Sequence, residues 1–279
     1  MAEPADVRVA RLTPADTRLV ALDIDGTVLD HDSRLSDPVR DAVRAVADSG
    51  RHVVIATGRS LVATLPVLDQ LGLLTGYAVT SNGAVTVRLD PALDEGYEPI
   101  DVVTFDPTPA LNLLREHLPM AVYAVEDFGM GFRLTGPFPD GELIGRLTVV
   151  PFEQLLSRPA TRVVVRSPEH TPEDFLALVE RLGLHGASYA VGWTAWLDIA
   201  PDGVSKAHGL GLVAKALGVQ ASEALAVGDG RNDVEMFAWA GRSVAMGQAP
   251  PDVKAVADEE CGDVLADGLA DVLCALVAQ

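Results

Sequence analysis

Cysteine is almost absent. Cys261 and Cys274 are the only two in 279 residues, and they form neither a Cys-x-x-Cys pair nor a cluster with histidines at zinc spacing. Buried or inert thiols in a reducing, cytoplasmic compartment are therefore the expectation. Long apolar runs are missing as well. No stretch approaches the ~20 uninterrupted apolar residues of a membrane span. Met1 to Asp16 mixes charges with prolines where a signal peptide would be apolar. Basic residues are scarce, with 21 Lys and Arg against 40 Asp and Glu and a formal charge of −19. Such a field repels nucleic acid and anionic membranes, so neither is an expected partner. An anionic small molecule stays open, because one divalent cation inverts the local field of a carboxylate-lined pocket. Aromatics make up only 5%, yet 48% hydrophobic and 22% charged residues are ordinary for a globular chain and rule out disorder. At about 150 residues per domain, the length suggests roughly two.

Period and punctuation divide the chain further. Arg18-Leu19-Val20-Ala21-Leu22 is an apolar run that stops at Asp23-Ile24-Asp25-Gly26, as a buried strand entering a loop does. Ser36, Pro38 and the spaced Val39, Ala42, Val43 and Val46 predict a capped amphipathic helix ending at Gly50. His52 to Ala56 predicts the next strand, stopping at Thr57-Gly58-Arg59. A helix over about 60–71 and a strand near 77–80 follow, closed by the polar turn Ser81-Asn82-Gly83. This alternation is that of a parallel, doubly wound, Rossmann-like sheet. It returns with a helix over 205–217, a strand over 224–227, the turn Gly228-Asp229-Gly230 and a helix over 232–240. In between lie short β-rich runs near 102–105, 121–125 and 162–165, with helical stretches near 109–117 and 172–182. The expected fold class is thus α/β, with a discontinuous core over 1–84 and 199–279 and an inserted α+β domain over 85–198.

Carboxylates gather where this architecture binds ligands. Asp23 and Asp25 sit two apart at the C-terminal end of a strand, where the pleat projects i and i+2 to one side. Two carboxylates there repel unless a proton or cation lies between them, so the pair suggests a metal ligand or an acid/base partner. Gly26 allows close backbone approach and Thr27 supplies a hydroxyl. Asp229 and Asp233, at i and i+4, would share one face of a helix beginning after Gly230, with Asn232 beside them. If the strands ending at Asp25 and Asp229 are neighbours, four carboxylates converge, and hard oxygen ligands favour Mg²⁺ over zinc or copper. Thr57 could donate a hydroxyl to an anion, and Lys206 could place a point charge beside a phosphoryl oxygen. Each motif alone is weak, since paired aspartates often cap turns and a lone lysine is usually solvated.

Their order is more specific. Asp23-Ile24-Asp25-Gly26-Thr27, Ala56-Thr57-Gly58-Arg59, Lys206 and Gly228-Asp229-Gly230-Arg231-Asn232-Asp233 together resemble the four-motif set of the haloacid dehalogenase-like phosphohydrolases. The turn Ser81-Asn82-Gly83-Ala84 and the long insertion between the second and third motifs resemble the Cof-type subgroup, which carries a large α/β cap. The resemblance implies a phosphatase acting on a small-molecule phosphate ester, a sugar phosphate or a cofactor phosphate such as flavin mononucleotide or pyridoxal phosphate. It implies Asp23 as nucleophile, Asp25 as general acid and base, and Thr57 and Lys206 as catalytic phosphoryl-binding groups. Gly26, Thr57, Gly58, Arg59, Asn82, Lys206 and Asn232 would contact phosphate or substrate. Mg²⁺ would be held by Asp23, the backbone carbonyl of Asp25, Asp229 and Asp233, the last as ligand or outer support. The assembly would be a monomer or homodimer.

Other readings compete. A phosphotransferase or mutase of the same superfamily would pass the phosphoryl group to a second sugar instead of water. A signalling receiver uses similar residues but is much shorter and lacks the insertion. A silent phosphate-binding protein would be expected to have lost one of Asp23, Asp25, Lys206 or Asp229, and all four are present. Within the insertion Trp193, Trp196, Arg133, Arg162 and Arg166 are options for substrate contact, although most such residues serve packing or the surface. Arg59 could reach the substrate or the insertion, or equally form a surface salt bridge. His208, two after Lys206, reads as surface or structural, and histidines 31, 52, 117, 170 and 185 form no paired spacing.

Overall fold

The computed structural model describes residues 12–139, 141–183, 187–191 and 195–278. Trp193 and His185 lie outside the described residues. The strands are β1 (Leu19–Leu22), β2 (His52–Ala56), β3 (Gly76–Thr80), β4 (Val85–Leu89), β5 (Tyr97–Val102), β6 (Val122–Asp127), β7 (Gly131–Leu134), β8 (Arg146–Val149), β9 (Val163–Arg166), β10 (Ala187–Val191), β11 (Trp196–Pro201), β12 (Ala224–Gly228), β13 (Arg242–Ala245) and β14 (Glu259–Glu260). The helices are α1 (Asp37–Asp48), α2 (Leu61–Leu71), α3 (Thr108–His117), α4 (Phe152–Leu155), α5 (Pro172–Leu182), α6 (Lys206–Leu217), α7 (Val234–Trp239), α8 (Pro251–Lys254) and α9 (Gly268–Val277).

Two sheets result, ordered β14-β13-β12-β1-β2-β3-β4-β5 and β10-β11-β9-β6-β7-β8. In the first, every pairing from β14 to β3 is parallel, and β3-β4-β5 is antiparallel. Its central strand β1 is buried on both faces, which explains why it reads as a continuous apolar run. Alternate residues feed opposite layers. Val20, Leu22, Val53 and Ile55 join the core beneath α1, α2 and α9, while Leu19, Ala21, Val54 and Ala56 pack with Leu210 and Val213 of α6 and Phe237 of α7. The helices start where their caps stand: Ser36 Oγ accepts from Val39 N–H at 3.2 Å and Ser60 Oγ from Ala63 N–H at 3.4 Å. The buried residues of α1, Val39, Ala42, Val43 and Val46, follow the helical period.

Among the described residues, the second sheet carries helices on one face only. Tyr123, Val125, Val163 and Val165 face Leu111, Leu114, Phe152 and Phe175, whereas Ala124, Val164, Phe132 and Leu134 point the other way. That second face is left for a ligand cleft. The first sheet runs on through β4 and β5, so the expected boundary after Ala84 falls within it, and the run expected as a strand near 102–105 ends β5 and makes an isolated bridge from Phe105 to Ala160. At the other end, β11 of the second sheet extends to Pro201, past the expected return at 199.

Among the described residues, no helix is long and apolar enough to cross a membrane. Both cysteines are free thiols. Burial pushes the Cys261 thiol up to about 11, which keeps it protonated and inert. Cys274 is exposed on α9, so of the two expected states, buried or inert, burial does not apply to it.

Candidate active site

Parallel register between β1 and β12 brings the two acidic loops side by side. Leu22 pairs with Val227, and Asp23 N–H donates to the Val227 carbonyl at 3.0 Å, so Asp23 and Asp229 leave adjacent strands at the same sheet edge. Oxygen atoms of Asp23, Asp229 and Asp233 lie within 4.8 Å of one another, and all three residues are buried. Lys206, the first residue of α6, is 1% exposed and donates to Asp23 Oδ1 at 2.6 Å and to Asp233 Oδ1 at 2.5 Å. Asp25 stands apart from this cluster. Its side chain is 59% exposed and takes the fork of Arg59, with Nη2 to Oδ1 at 2.5 Å and Nε to Oδ2 at 2.9 Å.

The expected helix after Gly230 is replaced by a 3₁₀ turn over Arg231–Asp233 followed by α7. Asp233 itself explains the difference, because its Oδ2 accepts from the N–H groups of Asp229 at 3.0 Å and Gly230 at 2.9 Å. A side chain that bonds the backbone of its own loop competes with the helical pattern. Asp229 and Asp233 therefore converge through a turn and not along a helix face. Both Asp233 oxygens are engaged, which makes it a brace for Lys206 and the loop.

Three buried carboxylates around one ammonium leave an excess of negative charge. Burial pushes the Asp23 carboxyl well above its usual range, Lys206 pulls against that, and the charges of Asp233, Asp229 and Asp25 add to it. Asp229 is pushed up to about 7, by burial first and by Asp233 second. Burial disfavours the Lys206 ammonium, but Asp23 and Asp233 outweigh it and hold the lysine charged. The Asp229 shift has a testable sign. A carboxyl whose folded pKa exceeds its ordinary 3.8 costs stability as pH rises from about 4 through about 7. In chelator, the stability of Asp229→Asn relative to wild type should accordingly grow over that interval. Urea melts at pH 5 and pH 8 check this, and a gap that shrinks towards pH 8 would contradict the assignment.

Gly26 makes the convergence sterically feasible. Its φ is +77°, and a Cβ there would lie 2.2 Å from Asp229 Oδ2. Gly26→Ala should cost about 1–3 kcal/mol in a denaturant melt, and an unchanged midpoint would show that the loop can move aside. Gln248 closes the same loop from behind, with Nε2 donating to the Gly26 carbonyl at 2.5 Å and to Asp229 Oδ2 at 3.3 Å while Oε1 accepts from Val264 N–H at 3.0 Å. Nothing in the sequence marks Gln248. Thr27 is fully buried, and its hydroxyl has no partner among the described residues.

The remaining predicted residues form a rim. Thr57 directly follows β2, and its buried Oγ1 accepts from Arg59 N–H at 3.1 Å. Ser81 and Asn82 adopt positive φ, and Asn82 Oδ1 accepts from Asn232 Nδ2 at 3.0 Å. A Cβ on Gly58 would stand 3.0 Å from that same Asn82 oxygen, and one on Gly83 would meet the Ser205 carbonyl at 1.9 Å. The turn after β3 thus packs directly against the start of α6 and helps set Lys206. A further link was not legible: Glu126 on β6, 4% exposed, accepts from Ser81 Oγ at 2.7 Å and from Thr161 Oγ1 at 3.2 Å, joining the two sheets beside Asn82.

Above this floor lies a cleft of about 540 Å³. Asp23, Asp25, Asp229 and Asn232 line it from below, Gly58 and Arg59 from the side, and Phe132, Arg162, Trp196 and Asp198 from the second sheet, with residues 141–144 from the loop between β7 and β8. Arg133 instead bonds Asp127 at 3.0 Å within the second sheet, and Arg166 pairs with Glu142 at 3.1 Å. His208 pairs with Asp101 on β5 at 3.3 Å, a structural contact as expected.

The family model of the haloacid dehalogenase-like hydrolases matches residues 20–116 and 140–273. The chain is 28% identical over 272 residues to the putative phosphatase YkrA of Bacillus subtilis, covering 91% of this chain and 96% of that protein. It is 29% identical over 282 residues to the pyridoxal phosphate phosphatase YbhA of Escherichia coli, covering 92% and 97%. Its fold superimposes on the solved HAD subclass IIB sugar phosphatase BT4131 with a TM-score of 0.78 at 22% identity, over 92% of this chain and 98% of the other. With its acidic floor, its doubly wound sheet and this match over most of its length, the chain is an enzyme of the haloacid dehalogenase-like hydrolase family.

Proposed function

We propose that the protein is a Mg²⁺-dependent phosphatase that hydrolyses a small phosphorylated metabolite through a phosphoryl group carried on Asp23. The observation that carries this reading is the buried Lys206 bridging Asp23 and Asp233 beside Asp229, at the floor of an open cleft. The donor set fits a hard divalent cation, because it consists of carboxylate oxygens carrying more negative charge than one lysine balances. Asp23, Asp229 and the backbone carbonyl of Asp25 would hold the ion, with Asp233 behind them. When bound, it supplies positive charge to a dianionic phosphate that the carboxylates alone would repel.

In the first half-reaction a carboxylate oxygen of Asp23 attacks phosphorus while the bond from phosphorus to the leaving oxygen breaks. Asp25 gives its proton to that oxygen, releasing the alcohol. In the second half-reaction water attacks the same phosphorus and passes its proton to Asp25, and Asp23 departs as carboxylate. Lys206 stabilises the Asp23 oxygen and the transferring group, and Asn232 and Thr57 hold the remaining phosphoryl oxygens. Asp25 rests against Arg59 in this structure, so the proton-donating step requires it to turn from the guanidinium towards the leaving oxygen. The segment from Val122 to Pro201 would act as the cap, excluding water from the reacting centre.

Phosphate release from a panel of sugar, nucleotide and cofactor phosphates, with and without Mg²⁺, tests the reading. Release that requires the metal is the expected result. No release from any ester, or release that persists in chelator, would overturn it.

A further inference from the structure

We infer that Arg162 is a specificity-determining residue that reads a pair of neutral oxygen acceptors on the organic part of the phosphate ester. Asp198 and Trp196 serve it as positioning residues. The inference rests on the phosphatase reading and deepens it, because it names which part of the ester the second sheet recognises.

Arg162 precedes β9 on the cleft face of the second sheet and lines the cleft that holds Asp23 and Asp25. Its side chain is 8% exposed. Nε donates to Asp198 Oδ1 at 2.5 Å, and the other Asp198 oxygen accepts from Trp196 Nε1 at 2.9 Å. Both Asp198 oxygens are thereby committed, and the guanidinium is fixed in plane. The guanidinium carbon lies 6.0 Å from the centre of the Phe132 ring, which bounds it on one side. Among the described residues, Nη1 and Nη2 have no acceptor. A nearly buried guanidinium with its outer edge unused is a poor arrangement unless something arrives to accept those hydrogens. That edge presents two parallel N–H groups and therefore fits two oxygens held side by side.

The charge balance selects among two-oxygen groups. Each arginine lining the cleft already faces a carboxylate: Arg59 with Asp25 at 2.5 Å, Arg162 with Asp198 at 2.5 Å, and Arg231 with Asp252 at 2.7 Å. At the rim Arg166 and Glu142 cancel in the same way, at 3.1 Å. Glu126 also lies close enough to act on the Arg162 charge. Among the described residues, no arginine lining the cleft is left without a carboxylate to compensate another anion. A neighbouring pair of hydroxyl or carbonyl oxygens takes the fork without that penalty, and a second carboxylate or phosphate does not.

The test measures binding to Asp23→Asn protein, which holds the ester without consuming it, in Mg²⁺ and by calorimetry. Sorbitol 6-phosphate carries neighbouring hydroxyls, 6-phosphogluconate adds a carboxylate, and hexyl phosphate has neither. Sorbitol 6-phosphate should bind tightest. Adding Arg162→Lys, which keeps a charge beside Asp198 but removes the fork, should weaken its binding about 10- to 100-fold relative to the change for hexyl phosphate. Asp198→Asn should move the same ratio in the same direction by less, whereas a purely structural role would weaken both esters equally. Equal losses for the two esters, a greatest loss for 6-phosphogluconate, or no binding of sorbitol 6-phosphate would overturn the inference. Turnover by wild type is read separately, so failure of the phosphatase reading remains distinguishable.

Discussion

Replacing Asp23 with Asn should lower phosphate release by roughly 10⁴-fold or more on every ester that the wild type hydrolyses. The change is nearly isosteric. Asparagine keeps an oxygen that can accept from Lys206, and the position stays buried between β1 and β12. What it removes is the carboxylate that must form a bond to phosphorus, and an amide is far too weak a nucleophile to replace it. It also removes one of three charges that burial already strains, as the upward shift of Asp23 shows. The variant should therefore match or exceed wild-type stability in chelator while losing turnover. That combination separates a chemical role from a structural one. Phosphate release and urea melts on the same preparation check both halves, and a variant retaining most of its activity would remove Asp23 from the nucleophile role.

Much of the floor was legible because it depends on local pattern and strand order. Apolar runs ending at Asp23 and Thr57, serine caps at Ser36 and Ser60, and the return of the same alternation at 205–240 are consequences of burial and capping, which short stretches of sequence record. Adjacency of the strands before Asp23 and Asp229 then placed the carboxylates together. The rest depends on contacts between residues far apart. The alternation Val85-Thr86-Val87-Arg88-Leu89 marks a strand but does not say which sheet it joins, so the inserted segment was expected to begin too early. The 3₁₀ turn at 231–233 was missed because one carboxylate bonds the backbone of its own loop, which residue spacing does not reveal. Gln248 lies 222 positions from the carbonyl it holds, and Glu126 lies 45 from Ser81. In the second sheet, Arg162 was one of several cationic options, and only its place on the cleft beside Asp198 distinguishes it from Arg133, which bonds Asp127 away from the cleft.

Lys206→Met should produce the second large effect, on stability as well as on turnover. Among the described residues the ammonium is the one cationic partner bonded to Asp23, and it also holds Asp233. Removing it leaves two buried carboxylates facing each other and Asp229 across less than 5 Å. Breaking a buried pair by deleting one partner costs about 3–5 kcal/mol, because the remaining charge is neither solvated nor matched. Urea unfolding in chelator should show a loss of that order, and phosphate release should fall below detection at any Mg²⁺ concentration. Two controls fix the cause. Adding Asp23→Asn to Lys206→Met should recover part of the stability, since it deletes one of the stranded charges, while turnover stays absent. The loss should also shrink as pH falls from 8 towards 5, because Asp23 and Asp229 are already shifted upwards and without the lysine take up protons more readily. A variant as stable as wild type at pH 8 would mean that the carboxylates do not depend on Lys206 for compensation. The same result would remove the argument that their uncompensated charge is what draws a divalent cation to this floor.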